Sequence, residues 1–430
     1  LATRSGVTQL QDVKVGLGRV RATVSGQLEN PLGYDLQIDA QVPDARDLEW
    51  LIGTMPEESM DVSVQVKGND QSIALSELQL ALGPSDLAGA ITVELADLPH
   101  ISGNLSSRLL DTRHWLDLEK ETPQQEPPKK DRMFGDEPLP SLGELGFSLD
   151  LDVKIDRVLL TASQLSEISS RIELSPQRLR VDPLYFKPPK GSRISGRLLF
   201  DESGPTPVFS TALLGTGIRM GIATSEEMDV NQTPATDIDI KLDSQGRTPH
   251  EMASALDGKI HLISGQGRVA RAAFGLLFSD FLTELLDTLN PFSKESGYTE
   301  LDCAVAAVDI TQGNANVGPI VVNTRELTMF SNGSVNLQTE KLDLEFNTKP
   351  RQGLGISAGV IINPLTKVGG TLTSPAVALN PKDTMISGTA AVATAGLSLL
   401  AKSMSDRFLS SKDPCGDAVK EIQKNESANP

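Results

Sequence analysis

The stretch Phe147-Ser148-Leu149-Asp150-Leu151-Asp152-Val153-Lys154-Ile155-Asp156 sets an apolar side chain at every odd position and a polar one at every even position. Successive side chains of an extended chain point to opposite faces, so this is a strand with one apolar and one wet face. A helix would need its apolar positions three and four apart. The alternation recurs outward in both directions, at Val62, Val64 and Val66, at Leu78, Leu80 and Leu82, at Ile238, Ile240 and Leu242, and at Leu342, Leu344 and Phe346. Between these runs lie Gly83-Pro84, Asp201 to Gly204, Gln245-Gly246, Asn332-Gly333 and Ser374-Pro375, residues that turn a chain. A mainly β protein of antiparallel meanders is expected.

An internal repeat organises the first part. Asp44-Ala45-Arg46 leads to Trp50-Leu51, and Asp111-Thr112-Arg113 leads to Trp115-Leu116, which together hold both tryptophans of the chain. Upstream, Val13, Val15, Leu17-Gly18 and Gly26 parallel Leu78, Leu80, Leu82-Gly83 and Gly89. Each unit reads as a meander closed by a short helical turn, and units that leave a sheet edge open stack into an elongated body. Residues 119–140, EKETPQQEPPKKDRMFGDEPLP, are Pro-rich and charged and read as a flexible loop or linker. The expected division is therefore repeated meanders over 1–118, the linker, a second β region over 141–382, and a helical or partly disordered tail over 383–430.

Two helices are expected inside the second region. Thr248-Pro249 forms an N-cap and N1 pair for a helix over 249–256, stopped by Gly258. A longer one over 269–289 carries Phe274, Leu277, Phe278, Phe281, Leu285 and Leu289 on one face and ends at Asn290-Pro291, where it would cover an open end of the sheet.

Composition narrows the function. The 430 residues carry 57 Asp and Glu against 39 Lys and Arg, a formal charge of -18 without a basic cluster. Phosphate binding needs a positive footprint, so nucleic acid is not an expected partner, and adsorption to anionic head groups is disfavoured. With aromatics at only 4%, the interior must be built from Leu, Val, Ile and Ala. The two cysteines, Cys303 and Cys415, lack any CxxC or Cys/His spacing, which argues against a metal site; pairing in an oxidising compartment and two separate thiols are both open. The chain begins at Leu1 and reads as the trimmed portion of something longer. Its nearest approach to a membrane span, Thr384 to Ala401, is short and weakly hydrophobic.

Three patterns invite a chemical reading. Gly265-Gln266-Gly267-Arg268-Val269-Ala270 matches GxGxxA, but a dinucleotide site also needs a parallel βαβ unit and an acidic residue ending the next strand, so a glycine-rich strand-to-helix turn is expected instead. Gly355-Ile356-Ser357-Ala358-Gly359 matches GxSxG, yet His100, His114, His250 and His261 all precede the serine, against the chain order of that architecture. The clusters Asp150, Asp152, Asp156 and Asp237, Asp239, Asp243 fall on the wet sides of alternating strands without a glycine-centred loop. No catalytic constellation emerges; neither an enzyme nor a cofactor or metal is expected.

Taken in order, several segments resemble the AsmA-like family of Gram-negative envelope proteins, relatives of TamB and YhdP. The resemblance is strongest from Pro138 to Pro381. It rests on Leu139-Pro140 to Leu145 followed by FSLDLDVKIDRV, on Val181-Asp182-Pro183-Leu184 leading to Gly196, on LDCAVAAVDITQGNANV (Leu301 to Val317), on NGSVNLQTEKLDLEF (Asn332 to Phe346) and on VGGTLTSPAVAL (Val368 to Leu379). Pro414-Cys415 before a helical tail is similar to the family's end. The resemblance implies a repeating β-groove or incomplete barrel, a curled sheet with an apolar inner face. It also implies a periplasmic location, an inner-membrane anchor through an N-terminal helix outside this chain, and a role in outer-membrane biogenesis, where larger relatives are regarded as bridges for phospholipid.

The groove face would be lined by Val62, Val64, Val66, Leu78, Leu80, Leu82, Leu149, Leu151, Val153, Ile155, Ile238, Ile240, Leu342, Leu344 and Phe346, with a phospholipid or other acyl-chain lipid as partner. Burying an acyl chain is worth about 0.8 kcal/mol per CH₂, so such a face needs no polar anchor. The rival expectation is a non-catalytic scaffold that assists outer-membrane protein assembly through a strand edge. Alternation alone fits an open trough and a closed dry core equally; the resemblance implies the open one.

Overall fold

The computed structural model describes residues 2–4, 7–29, 33–113, 132–160, 163–219, 230–270, 298–325, 327–351, 366–378 and 406–428. The chain is mainly β and mostly antiparallel, with few short helices. It divides into two compact units, Leu1–Pro127 with Pro140–Pro188 and Ser195–Pro205, and Pro128–Leu139 with Pro189–Ile194 and Thr206–Pro430.

In the first unit β1 (Ala2–Arg4), β2 (Val7–Leu17), β3 (Val20–Glu29), β4 (Gly33–Val42), β5 (Met60–Gly68), β6 (Ser72–Leu82), β7 (Ser85–Glu94) and β8 (His100–Ser107) follow one another as antiparallel neighbours. A 3-10 turn (Ala45–Leu48) and the one-turn helix α1 (Glu49–Ile52) lie between β4 and β5. After β9 (Leu110–Asp111), the strands β10 (Ser148–Leu160), β11 (Ser163–Ser175) and β12 (Arg178–Lys187) continue as antiparallel neighbours, and β13 (Ile194–Asp201) comes next in the chain.

The join between β8 and β10 departs from the expected meander, because these strands pair in parallel from His100↔Ser148 to Ser107↔Ile155. A Pro-rich stretch therefore breaks the chain without breaking the sheet, and the domain boundary expected at 119–140 does not separate the strands on its two sides. The described end of that stretch is tied down: the Met133 and Phe134 N–H groups donate to the buried Glu340 carboxylate at 2.8 and 2.9 Å.

In the second unit β14 (Val208–Ile218), β15 (Thr236–Gln245), β16 (Asp257–Ser264), β18 (Tyr298–Thr311), β19 (Asn314–Thr324), β20 (Leu327–Asn336), β21 (Lys341–Pro350), β22 (Thr366–Thr371) and β23 (Ser374–Ala378) pair antiparallel in that order. Strand β17 (Gly267–Ala270) also pairs with β18. Helix α2 (Pro249–Ser254) starts where Thr248 caps it, the hydroxyl accepting from Glu251 N–H at 3.1 Å. It stops before Gly258, which belongs to β16. Of the helix expected over 269–289, Val269 and Ala270 are strand, so the GxGxxA run is a step between two strands and no strand-to-helix turn; residues 271–289 lie outside the described residues, as do Ser357 and 384–401. In the tail, 406–410 is helical and α3 spans Pro414–Ala428.

The repeat has a backbone signature. Leu10-Gln11-Asp12-Val13 and Leu75-Ser76-Glu77-Leu78 each carry a register shift with a left-handed acidic residue, Asp12 at φ 47 and Glu77 at φ 52. Leu75 and Leu78 are an odd number apart and would face opposite ways on a regular strand; the extra bulge residue returns both to one face. Gly26 and Gly89 stand across the two bulges, each with a positive φ and with a neighbouring strand's carbonyl 2.1 Å from where a Cβ would sit. A third copy, Leu165-Ser166-Glu167-Ile168, with Glu167 at φ 50, shows the device again in β11.

Candidate functional site

Register builds the apolar face of the first unit. Leu10, Gly26, Leu36, Val66, Leu75, Ile91, Gly103, Leu151, Ile172 and Val181 are successive cross-strand partners from β2 to β12. A second row, from Leu28 through Ile73, Val93, Ile101 and Leu149 to Leu179, runs beside it. Neighbouring strands lie about 4.8 Å apart, so such a row extends roughly 40 Å along the sheet. The partners Val62↔Leu80, Ile38↔Val64, Leu78↔Gly89, Leu105↔Val153 and Ile155↔Ile168 place the remaining candidates of this unit on the same face, and Leu82 joins them opposite Met60. Leu36, Leu75, Ile91 and Ile172 belong to it equally. The same two-residue alternation carries them in the sequence, and the expected set omitted them.

One end of this face is closed. Val42, Ala45, Met60 and Leu82 form a buried cluster, with Leu48 and Met55 from the β4–β5 connection packed on it. The turn is fixed by Asp44, whose carboxylate caps it and takes a bidentate grip from Arg46 at 2.7 to 3.2 Å. Hydrogen bonding from the Arg46 guanidinium, supported by Arg19, holds the Asp44 carboxyl well below the usual carboxylate range. Asp111 and Arg113 repeat the same clasp, at 2.6 to 3.2 Å.

The reverse face of the first unit is polar. Asp150 pairs with Arg171 at 2.6 Å, Asp35 with Lys67 at 3.5 Å, and Asp39 accepts from Ser63 at 2.7 Å. A cleft of about 860 Å³ is lined by Arg21, Asp39, Asp61, Gln79 and Arg108 together with Val62, Leu80 and Leu87. Burial opposes ionisation of Asp86 in this cleft, but Arg108 and the N–H groups of Leu109 and Arg108 hold its pKa down. The acidic runs singled out above sit on polar faces with partners: Asp239 with Lys259, Asp243 with Ser210 and Asp237 with the Gly217 N–H.

In the second unit the row Ile238, Leu262, Ala306, Ile320, Ser331 and Phe346 crosses six strands, with Ile240 on the same face beside it and Leu342 and Leu344 further along β21. Toward β20 to β22 this face closes into a buried cluster of Leu327, Met329, Phe346 and Val368. Ser331 interrupts the row with a wholly buried hydroxyl that has no hydrogen-bond partner among the described residues. Among all the expected face residues, Val64, Leu82 and Phe346 are buried and the others are half-buried.

The second unit also has an apolar patch on its opposite face, which the alternation did not announce. Val305, Ala307, Val321 and Phe330 lie there, covered by Phe408, Cys415, Ala418 and Ile422 of the tail. Phe330 and Phe408 stack with centroids 5.2 Å apart, and a Cys303–Cys415 disulfide ties α3 to β18.

Among the described residues no group of three or more His, Cys, Asp or Glu is placed to hold a metal, and no helix is long and apolar enough to cross a membrane. No protein-family model, no curated protein and no solved structure matches the chain. The AsmA-like resemblance is thus carried by the residues quoted for it alone.

Proposed function

We propose that the protein is a periplasmic, non-catalytic β-groove that binds or conducts phospholipid in outer-membrane biogenesis. The observation that carries this reading is the row from Leu10 to Val181, apolar apart from Gly26 and Gly103, whose members are all half-buried where a dry core would bury them. Such a face accepts acyl chains while head groups stay in water, and its gain scales with the methylenes covered. The Cys303–Cys415 bond supports an oxidising compartment, and the AsmA-like motifs support the envelope role.

Solvent extraction of protein purified without detergent should release phospholipid, and Leu151→Asp should abolish that yield in a variant that keeps its β-sheet circular dichroism. Absence of lipid from the wild-type protein sinks the proposal. The scaffold reading has one observation in its favour: among the described residues, β2 from Leu10 to Leu17 is paired on one side only, and Val15 and Leu17 are exposed on it. A photoreactive residue at position 151 should capture lipid under the groove reading; one at position 15 should capture polypeptide under the scaffold reading.

A further inference from the structure

Trp50 and Leu51 are the most conspicuous apolar residues left in solvent, at 71% and 63% exposure on consecutive positions of α1. Leu17, 61% exposed, ends β2 at the hairpin whose Arg19 pairs with Asp44 at 3.2 Å and Asp47 at 2.8 Å. Their exposure does not come from a loose loop. Ala45 is fully buried and its N–H donates to Glu58 O at 2.8 Å, Gly53 N–H donates to Glu49 O at 3.0 Å, and Met55 N–H donates to the Glu49 carboxylate at 3.3 Å. The fold hydrogen-bonds this turn in place and leaves Trp50 and Leu51 on its outside, with Leu17 exposed at the hairpin that Arg19 ties to it.

We infer that this turn is a foot by which the protein seats itself on a zwitterionic phospholipid bilayer. Three observations select that occupant. Tryptophan has an apolar body and one N–H, and it settles at the boundary between head groups and acyl chains. Charges of both signs surround the tip, Arg19 paired with Asp44 and Asp47, Arg46 with Asp44 and with Glu57 at 3.0 Å, and Glu49 on α1 itself, so the rim offers partners to both the phosphate and the ammonium of such head groups. A chain of net charge -18 is repelled by an anionic surface.

The tip is also continuous with the apolar face. Leu48 before it and Met55 after it pack on Val42, Met60 and Leu82, which close the face at that end. A bilayer under Trp50 would lie at the closed end of the apolar face, so an acyl chain drawn from it would reach the uncovered row only by displacing Leu48 and Met55. This step rests on the groove reading; seating on a bilayer does not. The repeated clasp of Asp111 on Arg113 precedes the second Trp-Leu pair, Trp115-Leu116, which lies outside the described residues.

The full chain with Trp115→Phe keeps Trp50 as its single tryptophan. Mixed with vesicles of phosphatidylethanolamine and phosphatidylcholine, its emission should shift to the blue and be quenched by lipids brominated near the glycerol end of the acyl chains. Trp50→Ser with Leu51→Ser in the otherwise wild-type chain should bind those vesicles about tenfold more weakly. Unchanged thermal unfolding would show that the two exposed side chains were not needed for folding. Lack of a shift, or undiminished vesicle binding by the double variant, overturns the inference. A fluorescent lysolipid below its micelle concentration separates the two readings. Its binding without vesicle seating removes the foot and leaves the groove, whereas vesicle seating without its binding removes the groove and leaves the foot.

Discussion

Leu151, between Gly103 and Ile172, and Phe330, between Val321 and Asn347, are both apolar residues in the middle of a strand. Phe330 is 1% exposed, stacked on Phe408 beneath the disulfide-tied tail, whereas Leu151 is half-buried in a row that no described helix covers. The second unit covers its reverse-face patch with a dedicated element and a covalent tie. The first unit leaves a much longer row uncovered and spends a short turn on closing one end. The difference separates apolar surface that the chain covers with its own tail from apolar surface that no described helix covers.

The sharpest way to break this contrast is truncation of one residue from each region. Phe330→Ala should destabilise the second unit by about 3–5 kcal/mol, since a fully buried ring leaves a cavity. Leu151→Ala should cost roughly 1 kcal/mol, because a half-buried side chain loses less transfer free energy. Denaturant unfolding followed by peptide-resolved hydrogen exchange would check both; equal costs would mean that the first unit's face is a packed core after all.

A smaller effect is expected from the covalent tie. Cysteines 112 positions apart enclose a long loop, and Cys303→Ser with Cys415→Ser should lower stability by about 2–4 kcal/mol. Exchange should rise first in β18 to β20 under the tail, with β5 to β10 unchanged, and an environment-sensitive dye should report the uncovered patch. Uniform loosening of both units would count against a local cover.

The smallest effect concerns the turn that closes the first unit's face. Its Asp44 carboxyl is held below the usual range by Arg46, so between the folded and unfolded pKa values the unfolded chain binds more protons. The stabilisation is therefore complete above the ordinary Asp value of about 3.9 and is lost as pH falls below it toward the folded pKa. Asp44→Asn should remove that part of the acid dependence, seen as a gap from wild type in unfolding midpoints that narrows from pH 5 downward. A gap independent of pH would assign Asp44 a capping role without the ionic one.

Much of the first unit was legible in advance because its strands alternate strictly. Val62 to Val66 and Leu149 to Ile155 need only the two-residue period to be placed on a face. The repeat was legible through its Trp-Leu ends, but its third copy was not, since Leu165-Ser166-Glu167-Ile168 lacks such an ending and reveals itself through the left-handed acidic residue. The covered patch of the second unit carries a signal of its own in the sequence. Ala304-Val305-Ala306-Ala307-Val308 and Ile320-Val321-Val322 are apolar on successive positions, the mark of a strand buried on both faces. The pairing of Cys303 with Cys415 had no local signal at all.

What the sequence by itself determined is the one-sidedness of the strands, the turns between them and the capped start of α2. These follow from side-chain alternation, φ preferences and hydrogen-bonding groups a few residues apart. Tertiary structure alone decided that β8 and β10 run parallel across the Pro-rich stretch, that the tail covers β18 to β20, and that the Leu10 to Val181 row stays half-buried. Each of these depends on which distant segment arrives beside a face, and a period of two residues specifies the face without naming its neighbour.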